Sequence, residues 1–149
     1  NTQWIPITHD EWLGSARPEI ASEIKRLSEI YDTIGGKLNL TGKALGDYYH
    51  ISLKNSERYS RFFGQDKGAD IELCSNGQMS LFGFTKKDTT HMQFARKVAE
   101  SIIEQGLFNK TRIDIEKQDF NITANQVNKT DLQKLVAIHE KLASEFGWL

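Results

Sequence analysis

Asp70 with Glu72, and Asp114 with Glu116, form two carboxylate pairs spaced by two residues. On a strand that spacing puts both members of a pair on one face. If the two strands were neighbours, the four acids would gather and could hold a divalent ion for phosphoester hydrolysis. Half-buried strands routinely carry such acids on their solvent side, which is the simpler reading. Cys74 could act as a nucleophile only with His50 or His91 beside it and a third group orienting the base. A lone cysteine is more commonly a small buried hydrophobe. His9, His50, His91 and His139 are spread along the chain with a single cysteine, whereas zinc sites use closely spaced Cys and His pairs. The chain contains no P-loop, G-x-G-x-x-G, H-E-x-x-H, G-x-S-x-G or C-x-x-C pattern. No catalytic residue, metal or cofactor is assigned.

Two short segments combine positive charge with aromatic rings or a helix start. Lys54, Arg58, Tyr59 and Arg61 are followed by Phe62, Phe63 and Lys67, and Glu57 and Asp66 leave this segment at 4 − 2 = +2. Arginines interleaved with aromatics can hold phosphates and stack bases. They also suit an amphipathic helix with Tyr59, Phe62 and Phe63 buried. Lys86, Lys87, His91, Arg96 and Lys97, offset by Asp88, give 4 − 1 = +3 across a helix start. Unpaired amides at a helix N-terminus favour anions, although short charge runs usually mean a solvated face. The nine candidates for contact with nucleic acid or a protein partner are therefore Lys54, Arg58, Tyr59, Arg61, Lys86, Lys87, His91, Arg96 and Lys97. His139 falls on an apolar helical stripe and is expected to be packed.

The elements that must position these residues follow from periodicity. Thr8 and Glu11 have capping-box spacing. Ile20, Ile24, Leu27, Ile30, Tyr31 and Ile34 form one stripe of a helix that begins near Pro18 and stops at Gly35-Gly36. Residues 35–46 read as a loop, 48–53 as a strand and 55–63 as a short helical turn. Asn76-Gly77 is the preferred centre of a two-residue hairpin turn joining 69–75 to 78–84. That turn pairs Ile71 with Phe82 and places Ile71, Leu73, Phe82 and Phe84 on the core face. A helix runs from a cap among Asp88, Thr89 and Thr90 to Gln105, with Gly106 after it and Met92, Ala95, Val98, Ala99, Ile102 and Ile103 as its stripe. Thr111–Glu116 alternates as a strand, and 118–129 fits either a second hairpin or a loop. Thr130 and Gln133 suggest a capping box for a last helix on Leu132, Leu135, Val136, His139, Leu142 and Phe146.

The order α, β, ββ, α, β, α predicts a single α+β domain over residues 1–149, a small, largely antiparallel sheet packed by three main helices. The length of 149 residues suits one domain. Eight Phe, four Tyr and three Trp provide bulky core material, which excludes a disordered chain. The balance of 19 basic and 20 acidic residues, net −1, excludes a strongly basic polyanion binder. No apolar run approaches the roughly 18–20 residues needed to cross a bilayer. The single cysteine demands no oxidising compartment, so the four Asn-x-Thr triplets, at Asn39, Asn109, Asn121 and Asn128, carry no weight and a cytoplasmic location is expected. The chain opens at Asn1 rather than Met, which implies a removed leader or tag, or a longer parent.

From Ala69 onward the order is hairpin, helix, strand, helix. It includes Phe94-Ala95-Arg96-Lys97-Val98-Ala99 and the ending Phe146-Gly147. This half of the chain resembles the polyvalent-protein-associated α/β modules appended to relaxases and other large proteins of conjugative elements. It departs from their pattern at Leu107, where an aromatic often follows the helix-ending glycine, and at 117–129, which insert before the last helix. The first 68 residues lie outside the resemblance. It implies an accessory role in handling mobile DNA and brings no catalytic residues. The sequence thus points to a non-enzymatic binding module. A metal-dependent phosphoester hydrolase and a purely protein-binding, immunity-type domain are the alternatives.

Overall fold

A computed structural model describes residues 3–6, 8–34, 37–45, 59–64, 67–74, 79–83, 88–107, 111–114, 119–124 and 128–149. The first helix, α1 (His9–Gly14), starts where the capping box places it. Thr8 Oγ1 accepts from the Glu11 amide at 3.1 Å while Glu11 returns to the Thr8 amide at 3.4 Å. A 3-10 turn at Pro18–Ile20 leads into α2 (Ala21–Ile34), and its stripe, Ile20, Ile24, Leu27, Ile30, Tyr31 and Ile34, is buried throughout. The third helix, α3 (Thr90–Gln105), begins with the Met92 amide bonded to Thr89 Oγ1 at 3.0 Å. It ends at Gly106, where φ is 63° and Leu107 N–H bonds back to Ile102 O at 3.1 Å. Glycine takes that left-handed conformation without a Cβ penalty, and the turn brings Leu107 into the interior.

The last helix, α4 (Lys129–Glu145), is capped by Asn128, whose Oδ1 accepts from the Asp131 amide at 2.8 Å. The expected Thr130 cap is corrected, because Thr130 already lies inside the first turn. Asn128→Ala should therefore cost about 1 kcal/mol of stability. Thr130→Ala should stay within about 0.5 kcal/mol, as surface changes away from caps do. Urea titrations of the two variants measure the difference, and equal losses would restore the Thr130 cap.

Among the described residues seven strands pair antiparallel: β1 (Gln3–Pro6), β2 (Lys37–Leu45), β3 (Tyr59–Gly64), β4 (Ala69–Cys74), β5 (Met79–Gly83), β6 (Thr111–Asp114) and β7 (Asp119–Ala124). Their order across the sheet is β1-β2-β3-β4-β5-β7-β6. The expected layout, a small sheet packed by three main helices, is corrected. The residues whose side chains are described are mostly helical. Helix α4 packs on both α2 and α3, and of these three helices α3 makes the main approach to the strands, at β4 and β5. The interior is accordingly built by helices and closed by Phe63, Ala69, Ile71, Leu73 and Leu81 from β3, β4 and β5.

Three local expectations change for identifiable reasons. Residues 37–45 form β2 rather than a loop, and 59–64 form β3 rather than a helical turn. A segment such as Tyr59-Ser60-Arg61-Phe62-Phe63 has high strand propensity, which a neighbouring strand realises. The hairpin register differs by one residue, since Ile71 pairs with Leu81 instead of Phe82. A one-residue slip exchanges the faces of a strand, so Leu81 joins Ile71 and Leu73 in the core. Ile103, expected on the α3 stripe, is 44% exposed. The second-hairpin option for 118–129 is realised as β7 pairing with β6. The predicted strand at 48–53 and the Asn76-Gly77 turn lie outside the described residues.

Candidate binding surface

Strand alternation divides the central sheet into two faces. Ile71, Leu73 and Leu81 face the helical interior, so Glu72 belongs to the opposite face. The pairing then aligns Asn39, Arg61, Glu72, Ser80 and Thr123 as one row across β2, β3, β4, β5 and β7. An adjacent row on this face holds Asp70, Phe82, Asn121 and Arg112, and Phe63, paired with Asp70, departs from the alternation at φ 68° and is buried with the interior residues. Thr41, Tyr59 and Cys74 align on the other side of the Arg61 row. One face of the sheet is thus apolar and packed, and the other is dominated by polar residues with Tyr59 among them. Glu72 is only 2% exposed.

Of the nine candidates, Tyr59 and Arg61 are brought to one sheet face by the β3 alternation, with Arg61 at the register position opposite Glu72. Arg96 and Lys97 lie on α3, where Lys97 is exposed and Arg96 is half-buried, its Nε 3.8 Å from a Glu100 carboxylate oxygen. His91 is half-buried. Its Nε2 donates to Ile34 O at 2.7 Å, closing the end of α2. Its ring stacks on Trp148 at 5.3 Å and meets the edge of Phe63 at 5.0 Å. Lys54, Arg58, Lys86 and Lys87 lie outside the described residues.

The four-carboxylate arrangement fails on topology. Strands β4 and β6 are separated by β5 and β7, which at about 4.8 Å per strand places them roughly 14 Å apart. Asp70 and Glu72 cannot share an ion with Asp114 across that distance, and Glu116 lies outside the described residues. Cys74 ends β4.

Sequence reasoning anticipated a packed His139 but not its partner. His139 and Tyr31 are both fully buried, where α2 and α4 pack. Nδ1–H of His139 donates to Leu135 O at 2.7 Å, and Nε2 is hydrogen-bonded to the Tyr31 hydroxyl. A carbonyl only accepts, so the neutral ring carries its proton on Nδ1 and Nε2 accepts from Tyr31. Burial pushes the Tyr31 hydroxyl well above its usual range and lowers His139 to about 4, the Leu135 bond opposing the latter shift. The rings of Phe94 and Phe63 enclose the pair, Phe94 at 6.0 Å from His139 and Phe63 at 5.9 Å from Tyr31. The two polar residues sit on different helices far apart in sequence, so no local pattern announces their contact.

Comparison with protein-family models, with curated proteins and with solved structures finds no match. No described helix is long and apolar enough to cross a membrane.

Proposed function

We propose that this chain is a non-enzymatic binding module that contacts nucleic acid through the polar face of its sheet. The observation that supports this reading is the β3 register, which sets Tyr59 and Arg61 two residues apart on that face within rows of polar residues. An aromatic and an arginine on a sheet surface supply base stacking and phosphate contact. Arg96 and Lys97 on α3 add positive charge elsewhere on the molecule. The resemblance of residues 69–149 to modules of conjugative-element proteins is consistent with an accessory role at mobile DNA. A protein partner on the same face is the second reading, favoured by the near-neutral overall charge.

Fluorescence anisotropy with labelled single- and double-stranded oligonucleotides, from low to physiological salt, tests the proposal. Micromolar binding that weakens with salt is expected, because phosphate contacts release counterions. Tyr59→Ala combined with Arg61→Gln should weaken single-strand binding by at least about tenfold, since a stacked base contributes roughly 1–3 kcal/mol. Absence of binding at low salt, or equal affinity of the folded variant, would overturn the nucleic-acid reading and leave the protein partner.

A further inference from the structure

The sheet ends on β1 at one side and on β6 at the other, and the two ends are built differently. At β1 the register shifts between Trp4 and Pro6, and the strand finishes on Pro6, which has no N–H to donate. Bulges and prolines are devices that stop an edge from pairing further. At β6 all four residues pair in step: Thr111 with Ile122, Arg112 with Asn121, Ile113 with Phe120 and Asp114 with Asp119. An edge strand in regular register presents a row of outward N–H and C=O groups, a template for another strand. Helix α3 approaches the sheet at β4 and β5, and β7 stands between β5 and this edge.

The residue order of β6 is self-complementary. Two copies of Arg112-Ile113-Asp114 set antiparallel about Ile113 bring Arg112 to the register position of the partner's Asp114, and Asp114 to that of the partner's Arg112. Arg112 and Asp114 are two apart on one strand and so share a face, which makes the opposite-charge match occur twice in one pairing. In the sequence the same order of signs continues outward, with Lys110 before the strand and Glu116 after it. Within the single chain, Asp114 stands at the register position of Asp119, and like charges directly opposite are unfavourable. A second copy extends that row to Asp119, Asp114 and the partner's Arg112, which adds a cation beside the two acids. Centring the pairing on Arg112 or on Asp114 would instead set a charge opposite its own copy.

We propose that the β6 edge is a docking surface for a second copy of this chain, joined as a two-fold antiparallel strand pair centred on Ile113. Main-chain hydrogen bonds hold the joint, and the order of charges sets its register. An isologous contact of this kind closes at two copies. Joining β6 to the β1 edge of another copy would be open-ended and would meet the Pro6 irregularity. Four residues per copy make a small joint, so the dimer should be weak, formed at about 100 μM chain and lost on dilution to about 1 μM.

Sedimentation velocity of the full chain across that range tests the pairing, and it contains no nucleic acid, so its outcome is separate from that of the proposed binding function. A dimer that dissociates on dilution is expected. A monomer at every concentration up to about 500 μM would overturn the proposal. Arg112→Glu and Asp114→Lys each set like charges opposite one another twice, and each should raise the dimer dissociation constant at least about tenfold. Mixed in equal amounts the two variants are complementary again, and a heterodimer of wild-type strength should return. Unchanged self-association of either folded variant would overturn the edge, and so would a mixture that stays monomeric. Asp114→Lys sets a cation at the register position of Asp119, which favours the fold of the single chain. That variant keeps the test decisive if circular dichroism shows that Arg112→Glu does not fold.

Discussion

Phe94→Ala is expected to cost about 3–5 kcal/mol, the range for truncating a buried aromatic. Phe94 has no exposed surface and is the ring around which the end of the chain is organised. It meets Phe146 edge-on at 5.6 Å, Trp148 at 5.3 Å and His139 at 6.0 Å. Trp148 reaches this position because Gly147, at φ 79°, turns the chain and lets the Trp148 amide bond to Ala143 O at 2.8 Å. Removing Phe94 therefore leaves a cavity bordered by α3, α4 and the residues after α4. Chemical denaturation followed by circular dichroism reads the loss. A cost below about 1.5 kcal/mol would mean that the neighbouring rings collapse into the space, contrary to the close packing expected of an interior.

Leu81→Asp should unfold the chain or cost at least about 3 kcal/mol, because it buries an unpaired carboxylate or forces its protonation. Leu81 is 1% exposed and pairs with Ile71 on the interior face of the sheet. Phe82→Asp should be tolerated better, since Phe82 occupies the alternate face at the register position of Asp70. Circular dichroism and thermal melting of the two variants separate the registers. The reverse order of damage would restore the two-residue turn that pairs Ile71 with Phe82.

The helices were legible in the sequence because each carries its own evidence within a few residues. The Ile20–Ile34 stripe, the Thr8 and Glu11 box, and the Gly106 stop are local patterns, and each meets the same geometry in the structure. The capping of α4 was harder to read, since Asn128 and Thr130 are both competent caps and lie two residues apart. The strands were less legible. Tyr59, Phe62 and Phe63 suit a helix face or a strand equally, and only pairing with β4 and β2 chooses between them. The Lys37–Leu45 strand alternates from Lys37 to Thr41, but Gly42 inside it and Gly35-Gly36 before it read as a loop, and pairing with β1 and β3 decides its assignment.

The candidate site shows the same division. Residue types suggested that carboxylates on separate strands could meet, but the strand order β4-β5-β7-β6 keeps them apart. His91 had the sequence context of a helix-start anion site, yet its ring closes the end of α2 and stacks on Trp148. Sequence by itself determined the Thr8 start of α1, the apolar stripe of α2, the Gly106 stop of α3 and that His139 belongs inside, because these depend on residue types and spacings of three and four residues. Tertiary structure alone decided the register of β5, the partners of β3 and the meeting of Tyr31 with His139 across 108 positions. Those outcomes depend on which distant surfaces bury the most apolar area while leaving each polar group bonded, a balance that no local pattern contains.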